Sequence, residues 1–312
     1  MSLLIFYLTN DDRHYTFPHF IELLDKSNKK DMWKIIILTH SNDEDFYKNI
    51  IENYKIDNDI FLFESHNNYM NKAHFAVKYA EEYNYNYIMK CDNDIFLNPQ
   101  ALDFMIENLY ILENPNHLTI GPTLSSGIPS VEYFVEDFLN EDEQNHIKNL
   151  FKNTKFHNFD IEPYSILNKY TIESDTWDVS NFFKGVKEMN HYYKGIHPIR
   201  INMEAIQYLN SCIINNKENF ISTKKQLSII NNDSSPYLCD SIFCIKRDIY
   251  KSIINNHSLF VDGVDEVPLN KYAWNNNMNH LFVKNGFAIH MYYNWHPFHF
   301  DNEKIFINKF FT

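Results

Sequence analysis

The sequence predicts an α/β fold, in which a mainly parallel, Rossmann-type central sheet carries helices on both faces. Three observations lead there. Short apolar runs alternate with stretches that have apolar residues at helical spacing. The runs are β-branched and continuous rather than alternating, as in strands covered on both sides. Each of the first runs also ends in a polar cluster, and open parallel sheets bind ligands at the carboxyl ends of their strands.

Leu3–Leu8 reads as the first buried strand, ended by Thr9-Asn10-Asp11. Residues 15–26 have helical spacing, with Pro18 placing the start. Trp33–Thr39 (WKIIILT) is a second strand, 43–54 a helix opened by acids, and 59–63 (DIFLF) a third strand. Residues 71–83 form an amphipathic helix, and 87–89 lead into the acidic triplet Asp92-Asn93-Asp94. Ile95–Leu97 follows as a short strand, 99–112 as a helix and 118–120 as a strand closed by Gly121-Pro122. This order of strands and helices is that of successive βαβ units.

From 123 to 236 the rhythm is lost. Residues 130–151 and 201–214 read as helices, and 152–200 as irregular chain rich in Tyr, His and Asn. The segment is expected to be a largely helical insertion that shapes a substrate cleft. Order returns with a strand at 237–245, helices at 247–254 and 267–274, and a strand at 287–291. The aromatic tail 292–312 contains His296 and His299 and has no assigned element. Three regions result: 1–122, 123–236 and 237–312.

The 312 residues are 44% hydrophobic and 16% aromatic, ample for a large core. A formal net charge of -13 provides no basic excess to neutralise phosphates, so nucleic acid is not the expected partner. Cys91, Cys212, Cys239 and Cys244 are too scattered for a disulfide framework, and reduced thiols in a cytoplasmic protein are expected. The apolar start SLLIFYLT lacks a basic flank and a cleavage site, so no signal peptide is expected. No stretch approaches a membrane span, although the aromatic content leaves peripheral membrane contact open.

The acidic triplet is the foremost candidate site. Asp92 and Asp94 flank one residue at a strand end, where a turn can aim both at one point. Two carboxylates held that close repel each other unless a cation bridges them. Hard divalent ions such as Mg²⁺ or Mn²⁺ take oxygen ligands and share them with substrate phosphates. The plain alternative is a polar turn between strands. Asp262, Asp265 and Glu266 precede or open a predicted helix, where the dipole alone favours acids; the functional alternative is a general base. His290 lies within an apolar strand, either as a core residue or as a nitrogen ligand. Asn71-Lys72 either balances a phosphate or lies on a solvated helix face.

In this order, the elements resemble those of GT-A type glycosyltransferases, which transfer a sugar from a nucleoside diphosphate donor. YIMKCDNDIFL (87–97) looks like that family's Asp-X-Asp motif with its flanks. VDEVPLN (264–270) is similar to its acidic element, and NGFAIHMYYN (285–294) to its late His strand. The resemblance covers most of the chain except 123–236. It implies a nucleotide-sugar-binding Rossmann-like half at 1–122 and an acceptor-cleft region at 123–236, with 237–312 completing the acceptor side of one GT-A domain. It also implies Mn²⁺ or Mg²⁺ held by Asp92, Asp94 and His290, and a nucleotide pocket with Thr9, Asn10, Asn71, Lys72, Asp92 and Asn93. Asp265 or Glu266 would be the base of an inverting transfer from a UDP-sugar to a glycan or other hydroxyl acceptor. The family's pair usually reads Glu-Asp and here reads Asp-Glu, so the choice between them and the stereochemistry stay open.

Three other functions are compatible with parts of this pattern. A nucleotidyltransferase needs a glycine-rich basic loop after the first strand, and LTNDDRHYTF has no glycine. A glycoside hydrolase uses two carboxylates without a nucleotide pocket. A non-catalytic carbohydrate-binding protein of similar fold suits the aromatic content.

Overall fold

A computed structural model describes residues 2–9, 11–39, 44–63, 69–154, 177–180, 197–200, 202–230, 235, 237–259, 266–291 and 299–312. Four of its strands come from the first 92 residues: β1 (Leu3–Leu8), β2 (Trp33–Thr39), β3 (Asn58–Leu62) and β4 (Tyr87–Asp92). They lie in the order β3-β2-β1-β4, every pair parallel. Leu8 pairs with Leu38 on one side and Asp92 on the other, which sets three strand ends level.

The sheet continues with β5 (Ile95–Leu97), β6 (His117–Leu124), β7 (Ser228–Ile229), β8 (Ile242–Lys246) and β9 (Asn279–His290). Beyond β4 the order is β8-β6-β9-β5, with β7 also on β9. Strand β8 runs antiparallel to both β4 and β6, whereas β6 and β9 are parallel. Strands β5 and β7 are antiparallel to β9. The sheet is therefore mixed and mainly parallel in direction, with β8, β5 and β7 reversed. The reversal of β8 brings the residues just before it, Asp240 and Ser241, to the carboxyl end of β4.

The helices are α1 (Phe17–Asp25), α2 (Glu44–Ile51), α3 (Tyr69–Glu82), α4 (Pro99–Glu107), α5 (Ser130–Phe138), α6 (Glu141–Lys152), α7 (Met203–Asn215), α8 (Lys217–Ile221), α9 (Arg247–Ile254), α10 (Glu266–Asn275) and α11 (His299–Phe311). Period-two alternation sorts the strand residues between faces. Leu3, Ile5 and Tyr7 pack with Phe17, Phe20, Tyr47 and Leu102, from α1, α2 and α4. Leu4 and Phe6 pack with Ala73, Ala76, Tyr250 and Ile253, from α3 and α9. A third cluster joins Phe134, Ile147, Ile206 and Leu209 of α5–α7 to Phe287 of β9 and Phe306 and Phe310 of α11. Among the described residues, no helix is long and apolar enough to cross a membrane.

Several elements differ from the sequence expectation. Residues 11–16 form a 3-10 turn before α1, and 99–112 divides into α4 and a 3-10 turn. The stretch 130–151 is two helices rather than one. Asn140 opens the second with a capping box: its side chain accepts from Glu143 N–H, and the Glu143 carboxylate accepts from Asn140 N–H. Strand β6 runs on through Gly121-Pro122, because its register to β9 shifts between Pro122 and Thr123 and a bulge there tolerates a missing N–H. Asn285 lies in that bulge with φ 60°, a conformation Asn accepts more readily than most residues. Strand β9 thus begins at Asn279, and β8 begins at Ile242 rather than at 237. The aromatic tail supplies α11, anchored by buried Phe306, Ile307 and Phe310.

His280 on β9 is fully buried beside Thr119 of β6, its Nδ1 2.8 Å from Thr119 Oγ1. Burial pushes its pKa down to about 3. The folded chain therefore takes up this proton less readily than the unfolded chain, whose histidines titrate near pH ~6.5. The stability contributed by neutral His280 is complete above about pH 6.5 and is lost as pH falls toward 3. His280→Gln should flatten the pH dependence of the unfolding free energy in this window by up to one proton, about 1.4 kcal/mol per pH unit. Urea titrations at several pH values test this; an unchanged slope counts against it.

Candidate functional site

The turn between β4 and β5 carries Asp92-Asn93-Asp94 to the carboxyl edge of the sheet. Asn93 and Asp94 are buried, while the Asp92 side chain stays 28% exposed. The backbone of the turn is held from three sides. Asp92 N–H donates to Ser241 O, Met291 N–H donates to Asp94 O, and Thr16 Oγ1 lies 2.6 Å from Asn93 O. Ile95 pairs with His290, so the end of β9 lies beside the acidic turn.

Asp94 is the most confined carboxylate of the triplet. Its Oδ2 is 3.4 Å from Arg13 Nη1 and 3.7 Å from His290 Nε2. Its Oδ1 is buried and has no hydrogen-bond partner among the described residues. Burial pushes the His290 pKa down to about 3; Asp94 opposes the shift, and Arg200, Arg13 and Lys90 add to it. The imidazole is therefore neutral, the form that ligates metal. Its Nε2 lies 3.1 Å from Ser241 Oγ, which is itself 3.3 Å from Cys239 Sγ. Arg200 Nη2 donates to that thiol at 3.5 Å.

Asp92 is tied to the sheet by Lys90, a fully buried lysine two residues earlier on β4. Lys90 Nζ donates to Asp92 Oδ2 at 3.2 Å, to Asp240 Oδ2 at 3.0 Å and to Asp240 O at 2.9 Å. These acceptors match the three N–H bonds of an ammonium group. The Tyr69 ring adds a cation–π contact, its centroid 5.1 Å from Nζ. On the opposite side, Glu303 of α11 is fully buried and receives Arg13 in bidentate fashion, at 3.1 and 2.8 Å, together with Tyr15 OH at 2.6 Å.

The predicted site residues fall into three groups. The structure brings Asp92, Asn93, Asp94 and His290 together. Thr9 and Lys72 also lie at the strand ends: Thr9 follows β1, and Lys72 is buried and donates to Thr9 O at 3.2 Å rather than lying on a solvated face. Thr9 Oγ1 meets Tyr47 OH at 2.9 Å, and Asn71 is exposed on α3. Asn10, Asp262 and Asp265 lie outside the described residues, and Glu266 is described only as the first residue of α10. Lys90, Asp240, Arg13, Glu303 and Ser241 were not anticipated. Lys90 does carry a signal, since a lysine inside a buried apolar strand must find an acid. Arg13 and Glu303 are 290 residues apart, and nothing local marks them as partners.

No protein-family model matches the chain, and no curated protein matches it. Among solved structures, the chain is similar to a cytidylyltransferase from Leptospira borgpetersenii serovar Hardjo-bovis (strain JB197), at 18% identity and TM-score 0.29, over 39% of this chain and 52% of that one. It is similar to S. aureus TarS 1–349 in complex with UDP-GlcNAc, at 14% identity and TM-score 0.31, over 40% and 35%. It is also similar to the mannosyltransferase PcManGT from Pyrobaculum calidifontis in complex with GDP-Man and Mn²⁺, at 8% identity and TM-score 0.31, over 39% and 35%. The chain thus spans about half or less of the length of these structures.

Removing Lys90 would leave Asp240 buried without its counter-charge. Lys90→Met should destabilise the fold by about 3–5 kcal/mol, the cost of stranding one partner of a buried pair. Adding Asp240→Leu should recover much of that loss, because an apolar pair of similar volume replaces the ions. Urea denaturation of both variants measures it. A loss under about 1 kcal/mol in the single variant would show that the bridge is not structurally important.

Proposed function

We propose that the chain is a metal-dependent glycosyltransferase that takes a sugar from a nucleoside diphosphate donor, a UDP-sugar in the first instance, to a hydroxyl of a glycan or similar acceptor. One observation supports it above the others. At the carboxyl edge of a mainly parallel sheet, Asp94 holds one buried oxygen without a partner among the described residues, and the other beside a neutral histidine.

These residues suit a divalent cation that substrate completes. Asp94 and His290 offer an oxygen and a nitrogen, and Asp92 adds a partly exposed carboxylate. Among the described residues, no three His, Cys, Asp or Glu side chains are grouped to hold a metal ion by themselves. Mg²⁺ and Mn²⁺ need no such cage, because they commonly take one or two carboxylates plus substrate phosphates. Charge agrees. Asp92, Asp94, Asp240 and Glu303 are paired with Lys90 and Arg13, so these carboxylates outnumber the cations that bridge them.

When bound, such an ion supplies Lewis-acid stabilisation of the negative charge that develops on a leaving nucleoside diphosphate. The chain's own residues do the remaining work. Lys90 and Ser241 fix the acidic turn, Thr9 and Lys72 line the neighbouring strand end on the nucleotide side, and Asp265 or Glu266 takes the proton of the attacking hydroxyl.

A thermal-shift panel of nucleotide sugars, with and without Mn²⁺, tests the proposal. At least one donor should stabilise the wild type in a metal-dependent way, by about 2.7 kcal/mol at a hundred times its Kd. Asp94→Ala should abolish that stabilisation. With the donor so found, Asp265→Asn or Glu266→Gln should stop transfer while leaving donor binding intact. Absence of any metal-dependent donor binding, or full transfer in both base variants, would refute the corresponding assignment.

A further inference from the structure

One buried side chain ties helix α10 to the acidic centre. Asn270 is fully buried. Its Oδ1 accepts from Leu238 N–H at 2.8 Å, and its Nδ2 donates to Leu238 O at 3.0 Å. Leu238 is buried just before β8 and belongs to no strand, so the amide side chain supplies to both its main-chain groups what a neighbouring strand would. On the helix, Asn270 stands one turn after the first residue, Glu266, on the same side. Just beyond Leu238, Asp240 accepts from Lys90, and Ser241 O accepts from Asp92 N–H. Ser241 Oγ also lies 3.1 Å from His290 Nε2. A cleft lined by Pro268 and Leu269 of α10 and by Asp240 shows that the start of the helix does not pack tightly against the acidic centre. Paired hydrogen bonds fix a distance and an angle there, which loose apolar contact does not.

We propose that Asn270 is a positioning residue, which holds α10 in register with the segment 238–241 and so fixes the start of the helix relative to Asp92 and His290. Its effect on transfer rests on the nucleotide-sugar function above; its effect on the geometry of the acidic centre does not. Loss of the amide strands two buried main-chain groups, and Leu238 must move to find other partners. Asp240 and Ser241 move with it, and their contacts with Lys90, Asp92 and His290 change.

Two variants test this. Asn270→Ala removes both bonds. Asn270→Asp keeps the shape and carries its own rescue. Its protonated carboxyl accepts from Leu238 N–H and donates to Leu238 O, as the amide does, whereas its ionised form sets an oxygen against that carbonyl. Burial raises the pKa of such an acid, so the rescued form is present at low pH and is lost as pH rises through that pKa. The first readout is NMR of the Asp92 and Ser241 amides and the His290 ring, compared with wild type at each pH between about 5 and 8. Asn270→Ala should displace these signals at every pH. Asn270→Asp should displace them at the upper end and approach wild type at the lower end, which also serves if Asn270→Ala fails to fold. A residue that only stabilised the fold would lower the melting temperature and leave these native-state signals in place, and that result would overturn the proposal. The second readout is hydrolysis of the donor found in the thermal-shift panel, with water as acceptor. In Asn270→Ala, kcat should fall about tenfold or more, a larger loss than in donor affinity. The kcat of Asn270→Asp relative to wild type should recover as pH falls. A donor that both variants turn over at the wild-type rate would overturn the proposal and leave the nucleotide-sugar function standing. Displaced signals, with no nucleotide sugar bound by wild type, would support the positioning and refute that function.

Discussion

Four carboxylates gathered at one edge of a sheet repel each other, and compensating that repulsion is the constraint on which the site depends. Asp94, Asp240 and Glu303 are buried, so each needs a counter-charge close by. Lys90 answers Asp92 and Asp240 together, and Arg13 answers Asp94 and Glu303 together. Each cation thus ties an acid of the triplet to an acid from a distant part of the chain. The turn is fixed by these bridges as much as by its backbone bonds.

Topology makes this possible. Parallel strands β3-β2-β1-β4 bring Thr9 and Asp92 level, and the reversed strand β8 delivers Asp240 and Ser241 to the same edge. Strand β9 then brings His290 alongside Ile95, and Ser125 and Ser126 after β6 bond its backbone on both sides. The helices of 130–152 and 203–215 contribute their apolar faces to the cluster that supports β9 and α11, and so indirectly brace His290 and Glu303. Arg200 reaches the site through Cys239, which in turn contacts Ser241.

The N-terminal half was legible in the sequence because its signals are local. Continuous β-branched runs such as WKIIILT become strands in most surroundings, and the acidic triplet has to follow the strand that ends at it. His290 stood out in the sequence as a histidine within an apolar strand, and the structure sets its Nε2 3.7 Å from Asp94 Oδ2. Pairings across long separations were not legible. Glu303 lies in a tail whose aromatic residues obscured the helix of Phe306, Ile307 and Phe310. The length of β9 was hidden because Lys284-Asn285-Gly286 resembles a loop, whereas the ladder absorbs it as a bulge. Lys72 had two readings, a phosphate partner or part of a solvated helix face, and its burial against Thr9 O removes the second.

The central claim is that the acidic turn and His290 form a cation site which a diphosphate completes. Free Mn²⁺, followed by electron paramagnetic resonance during titration with protein, tests it most directly, with nucleotide chelation of the ion subtracted. The account predicts weak binding by the protein alone and an affinity about tenfold or more higher with at least one of UDP, GDP, CDP or ADP present, since coupling between the two ligands is reciprocal. Equal Mn²⁺ affinity with and without every one of these diphosphates would contradict it.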